Sequence, residues 1–392
     1  MLQSLWKNVS ARRGFKLALA VLTLSAGLAG TCIGAATIAE TAQTELVYVG
    51  SQGQQIRALR FDVSTGKLAP IGPVAEGLRP TWTVAHPQLP MLYAVNDDNA
   101  KEGSVTAFAV DRATGALSKV NEVATGGNGT THLWLDAPSM TIFAANYGGG
   151  SASSIALNGD GSLGALVSTL KAAGSGPHRR QASPHAHGVA LDPSGRYALV
   201  ADLGADRVFV YGFELASHAL SPDDAAHPRS FAVPAGSGPR HLAFGANGHF
   251  VYLLNELNAE IMTLRWDAQQ GHLTLVQSLP TSSPEFAGAK SGAEVAVSRD
   301  GRFVYVENRG ENTLVVYRVN PASGELYFVQ RTSSGGEAPW GLAIHSSGKW
   351  MLVAHQRSGK LNVFSIDPAS GMLSDTGQSL DSPTPVSVTF VK

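Results

Sequence analysis

One short apolar run recurs seven times along the chain: Leu46-Val47-Tyr48-Val49, Met91-Leu92-Tyr93-Ala94-Val95, Ile142-Phe143-Ala144-Ala145, Tyr197-Ala198-Leu199-Val200, Phe250-Val251-Tyr252-Leu253, Phe303-Val304-Tyr305-Val306 and Trp350-Met351-Leu352-Val353. Each is apolar at consecutive rather than alternate positions, the pattern of a strand covered on both faces. Anchored at Val47, Leu92, Ile142, Ala198, Val251, Val304 and Met351, the runs follow one another at intervals of 45, 50, 56, 53, 53 and 47 residues. A second element begins 11 residues before six of these anchors, at Thr81, Thr131, His187, Arg240, Ala293 and Trp340. It leads through segments such as His187-Gly188-Val189-Ala190-Leu191 into turns such as Asp192-Pro193-Ser194-Gly195. Beyond each anchor lies an alternating segment such as Val208-Phe209-Val210-Tyr211. A turn glycine, one further residue and a leucine then follow, at Gly66, Gly115, Gly161, Gly271, Gly324 and Gly371, with His218 in the glycine's place in the remaining repeat.

Four antiparallel strands in a period of about 50 residues describe a propeller blade. Seven periods predict an all-β, seven-bladed β-propeller. The ends support closure of its ring: the repeats begin with an anchored strand that lacks an inner neighbour, and Val386-Ser387-Val388-Thr389-Phe390 is an inner strand with no successor. Pairing of these N- and C-terminal strands leaves no free edge. Two packed sandwiches of similar total length are the alternative architecture, but they do not require a regular sevenfold count.

Composition sets limits rather than details. With 44% hydrophobic residues among 392, the chain can bury a large interior, and a formal charge of -1 offers no electrostatic footprint for nucleic acid. The first 16 residues carry Lys7, Arg12, Arg13 and Lys16 without an acid, and the apolar run Leu17 to Gly30 is short for a spanning helix. Residues 1–39 therefore read as an export signal that is removed, with small-residue cleavage options at Ala35-Ala36 and Ala39. The stretch Ser10-Ala11-Arg12-Arg13-Gly14-Phe15-Lys16 looks like a twin-arginine signal, the alternative being a basic flank on an ordinary secretion signal. The single cysteine, Cys32, leaves with it, and Thr31 before it argues against lipidation. Residues 40–392 are then the propeller domain, without disulfide or thiol chemistry, expected as a monomer in the periplasm or outside the cell with no membrane attachment.

Propeller geometry places the start of each inner strand and the end of its neighbour at one mouth of the central channel. His187 and Arg240 are equivalent inner-strand starts in adjacent blades; Glu256 and Arg309 are equivalent too, each five residues beyond its anchor. Around them stand Pro184-His185-Ala186-His187, Gly238-Pro239-Arg240-His241, Asn255-Glu256-Leu257 and Asn308-Arg309-Gly310, with Ala145-Asn146-Tyr147-Gly148 and Asp202-Leu203-Gly204-Ala205-Asp206 at other blade ends. In these segments, and over about Leu46 to Lys392, the chain resembles the seven-bladed propeller lactonases, the family of one kind of 6-phosphogluconolactonase. A more distant likeness is to fungal carboxymuconate cyclases. The resemblance implies His187, Arg240, Glu256 and Arg309 as the catalytic group; substrate contacts are expected from residues around it, at His185, Arg180, Asn146, Asp202 and His241. Arg180 belongs to His178-Arg179-Arg180-Gln181, read as a loop over the mouth. Trp340 departs from the pattern, standing where an arginine-containing turn is expected.

Those residue types suit hydrolysis of a lactone. His187 or Glu256 can deprotonate the attacking water, while Arg240 and Arg309 can stabilise the oxyanion or hold an anionic tail of the substrate. No cofactor is called for, and the absence of a Gly-x-Ser-x-Gly elbow gives serine-hydrolase chemistry little support. His185 and His187 with Asp202 or His241 are the one metal-ligand alternative; their spacing is not diagnostic, and no metal is expected. A further reading makes Glu256 and the arginines inter-blade ion pairs at a wet mouth, each contributing about 0–1 kcal/mol. The expectation is thus an exported lactonase acting on a sugar-acid lactone by metal-independent general-base attack of water. The alternative is a noncatalytic periplasmic propeller that binds an anionic sugar derivative or a protein. Phosphorylated sugar lactones are cytosolic, so an exported chain is expected to meet an unphosphorylated aldonolactone or another lactone, or to have lost catalysis.

Overall fold

A computed structural model describes residues 44–77, 79–223 and 228–391; the expected export segment 1–39, including Arg12 and Arg13, lies outside them. The described residues form seven separate antiparallel sheets. Blade 1 is ordered Pro385–Val391, Thr44–Ser51, Gln55–Asp62, Leu68–Glu76, so the last strand of the chain is the innermost strand of the first blade. Leu46 pairs with Val391 and Val49 with Val388. The inner strands of blades 2 to 7 are Thr83–Ala85, Thr130–Asp136, Ala186–Leu191, Pro239–Phe244, Gly292–Val297 and Pro339–Ile344. Each blade then runs outward in sequence order.

The consecutive apolar runs are the second strands of the blades, and the packing explains their composition. Successive side chains of a strand point to opposite faces, and here both faces meet a neighbouring blade. In blade 5, Phe250, Tyr252 and Leu254 pack towards blade 6, whereas Val251 and Leu253 pack towards blade 4. Seven hydrophobic clusters result, one at each blade interface, including the one where blade 1 meets blade 7.

The turn glycines adopt the left-handed conformation, with φ from 72° at Gly271 to 85° at Gly161, and His218 takes the same conformation at 57°. Several of these turns are latched to the preceding blade. Tyr48 donates its hydroxyl to the Gly115 carbonyl at 3.0 Å, Tyr93 to Gly161 at 2.7 Å, Tyr252 to Gly324 at 3.3 Å and Tyr305 to Gly371 at 3.1 Å. Blade 4 departs from the four-strand plan. Its outer edge is split into Ala219–Ser221 and Phe231–Ala232, both paired with Arg207–Glu214, and Pro222 and Pro228 in the intervening stretch have no N–H for a ladder.

Candidate active site

A repeated backbone irregularity presents the mouth residues. In blade 4, Ala186 pairs with Asp202 and Gly188 with Ala201, so His187 is the extra residue of a β-bulge. Arg240 is the extra residue between Pro239 and His241, Thr131 between Thr130 and His132, and Trp340 between Pro339 and Gly341. A bulge bends the strand and re-aims one side chain without ending the ladder. The next blade lies so close that a Cβ on Gly188 would come within 2.6 Å of the Arg240 carbonyl oxygen.

Glu256 is the centre of the arrangement. Its Oε1 accepts from Arg180 Nη1 at 2.5 Å and Arg309 Nη2 at 2.8 Å; Oε2 lies 3.2 Å from Arg240 Nε and 3.6 Å from His187 Nε2. Arg180 also donates to the Tyr147 hydroxyl at 2.9 Å. It arrives on a loop that Gln181 fastens from inside, accepting from His178 N at 3.0 Å and donating to the Leu203 carbonyl at 2.8 Å. Arg309 Nε donates to Ser291 Oγ at 3.0 Å, and its guanidinium lies 4.1 Å from the centre of the Trp340 ring. Trp340 thus fills the anomalous position with a cation–π platform under an arginine.

Burial sets the protonation states. It would push the Glu256 carboxyl up, but Arg309, Arg240, His187 and Arg180 outweigh it and hold Glu256 well below the usual carboxylate range. His187 moves the other way for an imidazole: burial, then Arg240 and His241, keep it well below its ordinary value, so it is neutral at pH 7. Glu256 is therefore a poor base despite its position, and His187 is the neutral acceptor beside it.

The structure brings His187, Arg240, Glu256, Arg309 and Arg180 together, sets His241 against His187 with ring centres 5.1 Å apart, reaches His185 only through Tyr147, and places Asn146 and Asp202 apart from the cluster. Asn146 is fully buried beneath the mouth, accepting from Thr130 Oγ1 at 2.8 Å and donating to Ser151 and Ser153. Asp202, also fully buried, accepts the backbone N–H groups of His185 and Ala205, both at 2.8 Å. Both shape blade-end loops, and neither side chain is accessible to a ligand. His185 stacks on Tyr147, with ring centres 4.5 Å apart, and hydrogen bonds its carbonyl. His241 turns down the channel, where Nδ1 meets the Glu294 carboxylate at 2.8 Å. There it clusters with Trp82 and His132, and burial pushes Glu294 up to about 7 against the pull of Arg240 and His132.

As site residues, sequence reasoning passed over Asp97, Thr81, Thr131 and Gln52, which line one narrow throat with His187, Arg240, His241 and Trp340. The signal was present: Asp97 stands five residues beyond its anchor Leu92, as Glu256 and Arg309 do beyond theirs. The far mouth is a wider basin of about 610 Å³ walled by residues such as Leu133, Leu135, Phe244, Val295 and Leu342. Among the described residues, no three His, Cys, Asp or Glu side chains are grouped to hold a metal ion, and no helix is long and apolar enough to cross a membrane.

Fold and site together define a closed seven-bladed propeller with a buried glutamate–arginine cluster and a neutral histidine at one mouth. The family model for the seven-bladed β-propeller lactonases matches residues 37–390, and the chain belongs to that family. A 6-phosphogluconolactonase of Bacillus subtilis is 32% identical over 296 residues, covering 74% of this chain and 82% of that one. Among solved structures, a periplasmic gluconolactonase from Pseudomonas aeruginosa is 34% identical with a TM-score of 0.83, covering 89% of this chain and 99% of the other. A protein from Lactobacillus plantarum is 29% identical with a TM-score of 0.82, covering 89% and 100%.

Proposed function

We propose that this protein is an exported lactonase that opens a sugar-acid lactone with His187 as general base and no metal. The observation that carries the reading is a neutral, buried imidazole beside a carboxylate that gathers three guanidinium groups. Water attacks the lactone carbonyl while His187 accepts its proton; the ring C–O bond then breaks, and the departing alkoxide takes up the proton that His187 holds, giving the hydroxy acid and restoring the neutral imidazole. Arg240 and Arg309 face the carbonyl oxygen as negative charge develops on it. Glu256 keeps both arginines in place and stabilises the imidazolium during the step. The throat, with about 40 Å³ of free space, has room for water but not for a sugar, so the lactone lies across the mouth and the water beneath it.

The similarity to the Pseudomonas aeruginosa periplasmic gluconolactonase, together with the sequence of residues 1–39, supports export to the periplasm and an unphosphorylated aldonolactone as substrate. The test is hydrolysis of glucono-δ-lactone and its 6-phosphate by purified residues 40–392, corrected for spontaneous ring opening. Wild type is expected to open the unphosphorylated lactone, and His187→Gln to lower its rate by about 10²–10⁴-fold while the melting temperature holds. Hydrolysis that survives His187→Gln rejects the base. If the wild type opens no lactone yet binds gluconate through its arginines, the protein is the noncatalytic binder.

A further inference from the structure

Around the mouth, His187 divides two chemically different arcs. On one side lie Arg240, Glu256 and Arg309; on the other, in blades 3 and 2, lie Thr131, Thr81 and Asp97, lining the same throat. The Asp97 backbone N–H donates to the Arg79 carbonyl at 3.0 Å, which fixes the residue at the rim. Its side chain is held from one side only: Oδ2 accepts the hydroxyls of Thr81 at 2.9 Å and Thr131 at 3.3 Å. Among the described residues, no Lys, Arg or His pairs with this carboxylate within 4.0 Å, in contrast to Glu256. Among the described residues none donates to Oδ1, which stands at the same ring position from which Glu256 and Arg309 act.

A carboxylate is acceptor-only when ionised, so Oδ1 suits a ligand that brings hydroxyl groups and is unsuited to a carbonyl or an anion. The reacting carbonyl, by the same argument, belongs on the arginine side. We propose that Asp97, positioned by Thr81 and Thr131, reads the hydroxyl groups of the sugar ring and so restricts the site to polyhydroxylated lactones. This rests on the lactonase reading above. Asp97 is a specificity-determining residue in this scheme, and the water is activated elsewhere, by His187.

The test compares glucono-δ-lactone with δ-valerolactone, the same ring without hydroxyl groups, in wild type and Asp97→Asn. The wild type is expected to prefer the hydroxylated ring. Asp97→Asn is expected to reduce the ratio of the two kcat/KM values by about 10–10²-fold, chiefly through KM for the gluconolactone, since a site built to bind hydroxyls discriminates strongly by them. Thr131→Val, which removes one tether and leaves the carboxylate, is expected to reduce the ratio less. An unchanged ratio, or an equal loss on both lactones, overturns the proposal; the equal loss would make Asp97 part of the chemistry or of the fold. Calorimetric binding of gluconate against 5-hydroxyvalerate gives a readout independent of turnover. A wild type that opens neither lactone but loses its preference for gluconate on Asp97→Asn retains the hydroxyl-reading role while the lactonase reading falls. Equal binding of both acids by wild type overturns the hydroxyl-reading role itself.

Discussion

Glu256 gathers more positive charge than it can neutralise, and it does so out of water. The sequence placed this cluster at a wet mouth, where an ion pair contributes little; in the structure Glu256 is 3% and Arg240 2% exposed. Removing one partner of a buried pair strands the others, at about 3–5 kcal/mol. Glu256→Gln is therefore expected to lose that much unfolding free energy in urea as well as activity, and a deficit below about 1 kcal/mol would return the cluster to solvent. The folded-state pKa of Glu256 lies below its unfolded value, so its stabilisation is present above the ordinary carboxylate range and disappears as pH falls through the folded value. The deficit of Glu256→Gln should accordingly shrink in acid. His187 sets a second pH dependence. Its imidazole is depressed by burial, Arg240 and His241, and a base must be unprotonated to work. The acid limb of kcat/KM is thus expected below the ordinary imidazole value of about 6.5; a limb at or above it would point to a base outside this buried cluster.

Between elements, the tyrosine latches tie one blade's second strand to the next blade's glycine turn. Tyr93 and Tyr252 lie in blades 2 and 5, with no shared partner. Each change to Phe is expected to lower stability by about 1 kcal/mol, and the double variant by about 2 kcal/mol, because distant sites add. A marked departure from additivity in urea melts would show that blades communicate around the ring. The strands themselves were readable because a face buried on both sides forces consecutive apolar residues, and the φ of the turns forces glycine. The bulges were hidden, since the 11-residue interval to each anchor is the same whether or not His187 or Arg240 is paired. Offset counting located Glu256 and Arg309 and, carried to blade 2, reaches Asp97. No counting reaches Arg180, whose loop between blades 3 and 4 has no counterpart in the period. Asn146 and Asp202, expected from the resemblance of their blade-end segments, stand four rather than five residues beyond their anchors and are buried in blade-end hydrogen bonds rather than facing the channel.

At the scale of the whole molecule, closure by Pro385–Val391 is the feature on which the others depend. That strand pairs with Thr44–Ser51 and packs on the inner strands of blades 7 and 2. A chain ending at Thr384 is expected to expose the Leu46 to Ser51 edge and associate through it, seen as oligomers in size-exclusion chromatography. A peptide spanning 385–391 supplied in trans should restore the monomer by strand addition; a truncated chain that stays monomeric with an unchanged melt would show that the ring tolerates an open seam. The innermost strand of the first blade is also the last strand of the ring to be synthesised. Until it has emerged from the ribosome, the blades already made can stack but not lock, so the native ring cannot form before this strand is free to pair. A translocation route that accepts only finished folds would then have to wait for that strand, whereas one that threads extended chains could engage the chain before the ring closes.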